Sequence, residues 1–181
     1  MIGARVVVVG TSGSGKTTVA RQLAQIMKCK HIELDDLNWG ANWQESSADE
    51  LREKVTKATN LSSWTLDGNY SRVRALVWSR AETLVWLDYP IWLNLWRITK
   101  RTFQRVVTQK ELWNGNRESL RQALSKDGMH YWVLKTHARR RKEIPQFLNQ
   151  LENQHLQVVH LRTPHETTDF LQRVSLQFAQ G

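Results

Sequence analysis

The stretch Gly10-Thr11-Ser12-Gly13-Ser14-Gly15-Lys16-Thr17-Thr18 decides the fold of this 181-residue chain. It follows an unbroken run of valines at residues 6–9 and precedes a helical pattern of apolar residues at 19–27. The order is therefore strand, loop and helix. In that context the pattern G-x-x-x-x-G-K-[ST] predicts a phosphate-binding loop, or P-loop.

The spacing of the glycines has a physical reason. Glycines at 10, 13 and 15 allow backbone angles that turn several N–H groups towards one concavity, and the next helix adds the positive end of its dipole. Lys16 is predicted to reach the β- and γ-phosphates of ATP, and the Thr17 hydroxyl to be a ligand of Mg²⁺. The predicted nucleotide-binding residues are Gly10, Thr11, Ser12, Gly13, Ser14, Gly15, Lys16, Thr17 and Thr18.

Length and composition favour one α/β domain over residues 1–181. Cys29 is the single cysteine, which excludes an intrachain disulfide. No apolar run is long enough to cross a bilayer, and no secretory leader pattern precedes the first strand. We therefore expect a cytoplasmic protein without a membrane partner.

The net charge of +9 is concentrated late in the chain. Residues 95–142 hold 13 basic and 3 acidic side chains. This excess predicts that the segment faces an anion, which could be nucleotide phosphate, nucleic acid or both.

Acidic side chains follow three predicted strands. Asp35 comes after the strand at 30–34, Asp67 after the strand at 64–66, and Asp88 after the strand at 83–87. The carboxyl ends of parallel strands face the ligand crevice. Asp67 is therefore the first candidate to hold Mg²⁺ through water, with Asp88 as its rival. Asp35 either positions an acceptor hydroxyl or begins a turn, and the sequence supports both interpretations equally.

A long helix is predicted from residue 91 to about 109. Trp92, Trp96, Thr99, Phe103 and Val106 form a mainly apolar stripe. On a neighbouring face, arginines recur once per turn at positions 97, 101 and 105. Like charges stacked in this way repel, so an anion that neutralises the row explains it better than a solvated basic face.

The rest of the chain continues the alternation of helices and strands. Helices are predicted at 47–60, with Ser47 as the cap, at 71–80 and at 166–178, and a fifth strand at 156–161. The segment 129–142 ends in a basic quartet at 139–142, which either binds phosphate or nucleic acid or is an exposed helix end whose cations suit the dipole. Pro145 is expected to begin a separate helix that extends to about residue 153. Residues 37–43 are predicted to be a loop, and residues 111–128 to form two turns around a short helix. His160 is interpreted as a packed core residue, and Trp64, Trp78 and Trp86 as core.

Several motifs resemble a known superfamily. Leu66-Asp67-Gly68 resembles the L-D-G of adenylate kinases, and the Arg97–Arg105 row resembles their arginine-bearing lid. Residues 161–164 are placed like their adenine-side loop, which assigns Arg162 to nucleotide binding. A closer similarity, to the DNA topology modulation proteins related to adenylate kinases, lies in residues 35–43, 67–74, 112–119 and 130–132. The arginine after L-D-G comes one place late, at Arg72, so the resemblance does not fix AMP as the acceptor.

The resemblance implies a P-loop kinase-like domain with a five-stranded parallel sheet, helices on both faces and a basic helical lid at 91–142. The leading hypothesis is an ATP- and Mg²⁺-dependent kinase of an unidentified small-molecule or nucleotide acceptor. Lys16 with Arg97, Arg101 or Arg105 would stabilise the transferring phosphoryl group, Asp35 would position the acceptor, and Thr17 with Asp67 would hold the metal. The alternative is an ATP-controlled regulator that binds nucleic acid through residues 95–142.

Overall fold

A parallel five-stranded sheet forms the centre of the molecule. The computed structural model describes residues 1–108, 114 and 129–179. The strands lie in the order β2-β3-β1-β4-β5, and their bounds are β1 Arg5–Gly10, β2 Lys30–Glu33, β3 Trp64–Asp67, β4 Thr83–Leu87 and β5 Gln157–Leu161. Because β1 lies between β3 and β4, the carboxyl ends of these three strands meet at one edge, where ligands bind in doubly wound sheets. The predicted fold class is confirmed.

Helices cover both faces of the sheet. Their bounds are α1 Lys16–Met27, α2 Leu34–Asn38, α3 Ala48–Ala58, α4 Arg74–Arg80, α5 Ile91–Thr108, α6 Met129–Leu148 and α7 Pro164–Ala179. Side chains of α1 and α7, such as Leu23 and Phe170, pack on one face. Residues of α3, α4 and the end of α6 pack on the other. None of the described helices is long and apolar enough to cross a membrane.

Local sequence accounts for many of these elements. The four valines of β1 are buried, as expected for a central strand covered on both faces. The predicted cap of α3 is confirmed, because the Ser47 hydroxyl accepts a hydrogen bond from the Glu50 amide and the Glu50 carboxylate accepts one from the Ser47 amide. Trp64, Trp78 and Trp86 lie in the core.

The expected break at Pro145 is wrong. Residues Met129–Leu148 form one helix that contains Pro145, although a proline within a helix removes a hydrogen bond and costs about 3 kcal/mol. Ile144 is buried, and Phe147 and Leu148 pack against the core next to it. Burial on this side of the proline holds the last turn of α6 in place. The predicted extension to residue 153 is only a separate 3-10 turn at Leu151–Asn153.

The apolar stripe of α5 does not face the core. Trp92, Trp96 and Phe103 are 68%, 58% and 65% exposed, respectively. The helix instead buries a polar face that contains Asn94 and Thr102, together with Ile98. Asn94 is stabilised there because its side-chain amide donates to the Tyr89 carbonyl. This face lies against the P-loop.

The segment after β2 is also more regular than the loop expected from sequence. Asp35 and Asp36 lie in the short helix α2, and a 3-10 turn follows at Ala41–Trp43. Acidic residues suit the first turn of a helix because they complement its dipole. The expected turns and helix between residues 111 and 128 lie outside the described residues, apart from Asn114.

We expect Ser47→Ala to lower the free energy of unfolding by about 1 kcal/mol, because α3 loses the hydrogen bond that caps its first turn. Denaturant titration of both proteins would measure the difference. Ser62→Ala removes an exposed serine outside a helix and is the control. Equal midpoints for the wild type and Ser47→Ala would contradict the capping contribution.

Candidate functional site

The P-loop connects β1 to α1 as an open turn of backbone amides. Gly10, Gly13 and Gly15 have positive φ angles of 149°, 83° and 91°, and α1 begins at Lys16 without a side-chain cap on its first turn. Uncapped N–H groups at the start of a helix are ready donors for an anion.

Two of these glycines are also required by close neighbours. A Cβ atom at Gly10 would lie 2.4 Å from the Leu87 carbonyl oxygen, and one at Gly13 would lie 2.5 Å from the Asn94 carbonyl oxygen. Leu87 is at the end of β4 and Asn94 is on α5. Because Gly10 and Gly13 have no side chains, β4 and α5 can pack directly against the P-loop.

Lys16 projects into a cleft that these elements enclose. Its Nζ donates to the Thr11 carbonyl oxygen at 3.3 Å. Burial and the nearby Arg140 are the main causes that lower the pKa of Lys16, which is about 8. Asp67 and Asp35 oppose this effect. An ammonium group in this environment gains more from an incoming anion than one in water.

Thr17 and Asp67 meet at the end of β3. The Thr17 hydroxyl donates to Asp67 Oδ2 at 2.7 Å, and His31 Nε2 lies 2.7 Å from Asp67 Oδ1. His31 comes from β2, where it is paired in register with Thr65 of β3. A hydroxyl and a buried carboxylate are hard oxygen donors of the kind Mg²⁺ prefers. Among the described residues no group of three His, Cys, Asp or Glu forms a metal cage, so the other ligands of such an ion would be nucleotide phosphates and water.

The arginine row of α5 faces the same cleft. Arg97 Nη1 donates to the Ser14 carbonyl at 3.1 Å, and its Cζ lies 5.2 Å from the centre of the Tyr89 ring. Arg101 and Arg105 line the cleft one and two turns further on. The arginine row of α5 therefore lies along the side of the cleft that the P-loop forms.

Arg140 of α6 also lies near Lys16 and lines the same cleft. Burial and the neighbouring cations Arg139 and Arg74 lower the pKa of Arg140 to about 10. Its Nη1 atom is enclosed and has no hydrogen-bond partner among the described residues. A buried guanidinium nitrogen without a partner is costly, which marks this position as one that an anion would stabilise.

The remaining wall of the cleft combines acidic and aromatic side chains. Asp35 of α2 lines the cleft and accepts a hydrogen bond of 2.6 Å from the Tyr70 hydroxyl. Burial and Asp35 raise the pKa of Tyr70, so the phenol stays protonated and remains a donor. Trp39 and Trp43 pack edge to face with their ring centres 5.7 Å apart.

Comparisons with known proteins agree with this architecture. The family described as "ATPase family associated with various cellular activities (AAA)" matches residues 6–67, which include the P-loop, Thr17 and Asp67. A shikimate kinase from Bacteroides thetaiotaomicron superposes with a TM-score of 0.56 at 12% identity, over 97% of this chain and 98% of that one. A gluconokinase from Sinorhizobium meliloti gives 0.54 at 15% identity, over 98% and 92%. A shikimate kinase from Acinetobacter baumannii gives 0.53 at 14% identity, over 97% and 92%.

The chain has a P-loop kinase fold. The comparison with curated proteins found no match. Low identity to the structural relatives means that they support the fold alone, and the roles of individual residues rest on the geometry of this chain.

Within the P-loop kinase fold, Asp88 takes part in a different set of contacts from Asp67. Arg141 Nε lies 2.8 Å from Asp88 Oδ1, and His160 Nε2 lies 3.1 Å from Asp88 Oδ2. The His160 ring stacks on Trp86 at 4.0 Å. His160 is therefore half-buried and paired, not a packed core residue as predicted from sequence.

A second contact joins α6 to the P-loop. His137 Nδ1 lies 3.1 Å from the Thr11 hydroxyl, and both side chains are buried. His137 and Arg141 are on the same helix as Arg140, three residues before it and one after. These contacts fix the helix that carries Arg140 relative to the P-loop and β4.

The predicted site residues fall into two groups. Most lie along the cleft, which is lined by Ser12, Gly13, Ser14, Gly15, Lys16, Thr17, Thr18, Asp35, Asp67, Arg97, Arg101 and Arg105. Arg162 lies apart from them: it is exposed, and its amide donates to the Glu166 carboxylate at 2.7 Å. The role of Arg162 in nucleotide binding therefore stays a prediction, and its contact with Glu166 adds no support to it.

Sequence reasoning gave no role at the site to His31 or Asn69, and it did not distinguish Arg140 within the basic quartet. Asn69 accepts a hydrogen bond from the Gly10 amide at 3.2 Å and donates one to the Gly10 carbonyl at 2.5 Å. It lies two residues after Asp67, within the stretch 67–74 that was singled out from the sequence. Arg140 was part of the basic quartet, but no sequence periodicity separates it from its three neighbours.

We expect Asn69→Ala to weaken binding of Mg²⁺-ATP by about tenfold, because the backbone at Gly10 loses two hydrogen bonds that hold the start of the P-loop. Calorimetric titration with a non-hydrolysable ATP analogue would measure it. Asn60→Ala changes an exposed asparagine after α3 and is the control. Equal affinities of Asn69→Ala and the wild type would contradict this role.

Proposed function

We propose that the protein is an ATP-dependent kinase of a small molecule. The observation that carries this proposal is the arrangement around Lys16. The P-loop amides, the Thr17–Asp67 pair and arginines from two helices converge on one cleft, and an acidic side chain, Asp35, lies in its wall. Phosphoryl transfer depends mainly on positioning and on stabilising negative charge, and this set of groups supplies both.

The donor nucleotide is assigned to the P-loop side of the cleft. The amides of residues 10–18 bind its phosphates, Lys16 contacts the β- and γ-phosphates, and Thr17 with Asp67 holds Mg²⁺, Asp67 acting through water. Bound Mg²⁺ would neutralise charge on the phosphates and orient them. Asp88 is not assigned to the metal, because its two oxygens are directed to Arg141 and His160.

The acceptor is assigned to the side lined by Asp35. Its carboxylate is held by the Tyr70 hydroxyl and is available to orient an acceptor hydroxyl or to take up its proton. Arg97, Arg101 and Arg105 stabilise charge on the phosphoryl group during transfer, and Arg140 of α6 contributes to the same charge stabilisation. We include residues 91–142 in the proposal as a basic lid and treat the chain as one domain.

The structural relatives favour this function over others. They are kinases of shikimate and of gluconate by name, so this fold supports phosphorylation of small molecules. As part of the same proposal, we assign the protein to the DNA topology modulation group and to the cytoplasm.

The nucleic-acid alternative has less support from the charge distribution. Arg97, Arg101, Arg105, Arg139 and Arg140 all line the cleft. Much of the basic excess in residues 95–142 is therefore explained by a kinase site. Exposed cations such as Lys100 remain outside this explanation.

We expect Lys16→Ala to reduce kcat/KM for ATP-dependent phosphorylation by at least about a hundredfold, since a cation aimed at developing charge is lost. An ADP-release assay with nucleosides, nucleotides, sugars and hydroxy acids would identify the phosphoryl acceptor and measure the rate of its phosphorylation. Arg173→Ala removes an exposed charge on α7 outside the cleft and is the control. Turnover by Lys16→Ala at the wild-type rate would refute the proposal.

We expect Arg101→Ala to lower kcat at least about tenfold and to change the affinity for Mg²⁺-ATP much less, because its charge acts mainly in the transition state. Steady-state kinetics and calorimetry on the same variant would separate the two quantities. An effect confined to KM would instead assign Arg101 to substrate binding.

The alternative function predicts a measurable salt dependence. Binding to duplex DNA that neutralises Z phosphates weakens with log salt at a slope of about −0.9Z. Fluorescence anisotropy with labelled duplex and single-stranded DNA, with and without Mg²⁺-ATP, would test this. We expect no specific binding at physiological salt, and a steep, ATP-dependent slope would favour the regulator.

A further inference from the structure

The charges in the cleft are arranged around two centres. Lys16 is the first, and the charges that act on it are Arg140, Asp67, Asp35 and Arg101. Arg140 is the second, and the charges that act on it are Arg139, Arg74 and Glu143. Arg140 thus lies between the P-loop and a second group of cations on α4 and α6.

The second centre has more positive than negative charge. Arg74, Arg139 and Arg140 line this part of the cleft, and Glu143 is the acid of the second centre among the described residues. Glu143 pairs with Arg139 at 3.5 Å, through an exposed contact within α6. One carboxylate cannot balance three guanidinium groups, and Arg140 Nη1 is enclosed without a hydrogen-bond partner in the part of the chain that the structure describes. An anion of the ligand would balance them.

The second centre is also built on an apolar wall. The Arg74 guanidinium lies 4.0 Å from the centre of the Phe147 ring and 6.0 Å from that of Trp78. Burial and Arg139 lower the pKa of Arg74, while Glu143 raises it. Stacking on Phe147 fixes the plane of the guanidinium, which prepares it to bind a planar or tetrahedral anion.

Arg72, the first arginine after Leu66-Asp67-Gly68, is held by other contacts. Arg72 donates to the Ser46 carbonyl at 3.1 Å, to Asn38 Oδ1 at 2.8 Å and to Glu45 Oε1 at 2.5 Å. These contacts close the loop after α2. Recognition of an anionic acceptor therefore falls to Arg74, Arg139 and Arg140.

We propose that the phosphoryl acceptor is an acid that also carries a hydroxyl group, with its carboxylate or phosphate bound by Arg74, Arg139 and Arg140 and its hydroxyl directed to Asp35. This inference rests on the proposed kinase function and names the class of its acceptor. During transfer the hydroxyl oxygen bonds to the γ-phosphorus of ATP, and the bond from that phosphorus to the leaving oxygen of ADP breaks. The electron pair of the broken bond stays with ADP, and the hydroxyl proton passes to Asp35.

The test compares related acceptors with and without an acidic group. The sets are glycerol, glycerate and glycerol 3-phosphate; glucose, gluconate and glucose 6-phosphate; and adenosine with AMP. ADP release measures turnover, and calorimetry measures binding of each compound to protein loaded with Mg²⁺ and a non-hydrolysable ATP analogue. The carboxylate and phosphate members of the glycerol and glucose sets distinguish the two sources of the anion.

We expect an acidic member to be bound or phosphorylated at least about tenfold better than its neutral partner. Arg74→Gln should remove that preference and leave the affinity for the ATP analogue unchanged. Arg139→Gln, which changes a more exposed member of the same centre, is a second variant in case Arg74→Gln does not fold. Lys142→Gln removes the same charge from an exposed position of α6 outside the cleft and is the matched control.

Equal use of neutral and acidic members would overturn the inference and leave the kinase proposal intact. A preference for acids that survives in both variants would also overturn it, as would a failure of every acidic member to bind to protein that does bind Mg²⁺-ATP. Failure to bind Mg²⁺-ATP at all would instead refute the proposed kinase function.

Discussion

The close approach of two backbone segments to the P-loop is the constraint on which the rest of the site depends. The carbonyls of Leu87 and Asn94 occupy the space that side chains at Gly10 and Gly13 would need. Because α5 can therefore lie directly on the loop, its polar face is buried there, and Arg97 bonds to the Ser14 carbonyl. The packing of α5 on the P-loop thus also turns the other arginines of the row, Arg101 and Arg105, towards the cleft.

The site concentrates positive charge at an electrostatic cost to the folded protein. Lys16 and Arg140 both have lowered pKa values because burial and neighbouring cations disfavour their charged forms. Such a cluster is costly without an anion and becomes favourable when one binds. The buried cations that destabilise the ligand-free protein thus favour the binding of a polyanion. They also stabilise the negative charge that develops during phosphoryl transfer.

Polar contacts hold the part of the cleft that α6 lines, in contrast to the apolar packing of the helices on the sheet. His137 contacts Thr11, and Arg141 contacts Asp88, on either side of Arg140 along α6. These contacts connect the P-loop, the end of β4 and the helix that supplies Arg140. Apolar packing of Ile144 and Phe147 holds the end of the same helix despite Pro145. The position of Arg140 therefore depends on both kinds of contact.

Sequence alone determined the elements whose signals are local. The valine strand followed by the glycine pattern fixes the P-loop, and Ser47 with Glu50 fixes the start of α3. Alternation of strands and helices gives the parallel sheet. The acids after β2 and β3 could be placed at the site because the ends of parallel strands share an edge.

Tertiary structure decided which side chains of the basic segments face the cleft. Periodicity places Trp92, Trp96 and Phe103 on an apolar face that would be expected to face the core. The helix α5 instead buries Asn94, because the backbone at Asn94 packs directly against Gly13 of the P-loop. Asp67 and Asp88 have equivalent positions in sequence, and only the packing of α1 and α6 gives one to Thr17 and the other to Arg141. His31, Asn69 and Arg140 join the site through contacts between residues distant in sequence, which no local pattern encodes.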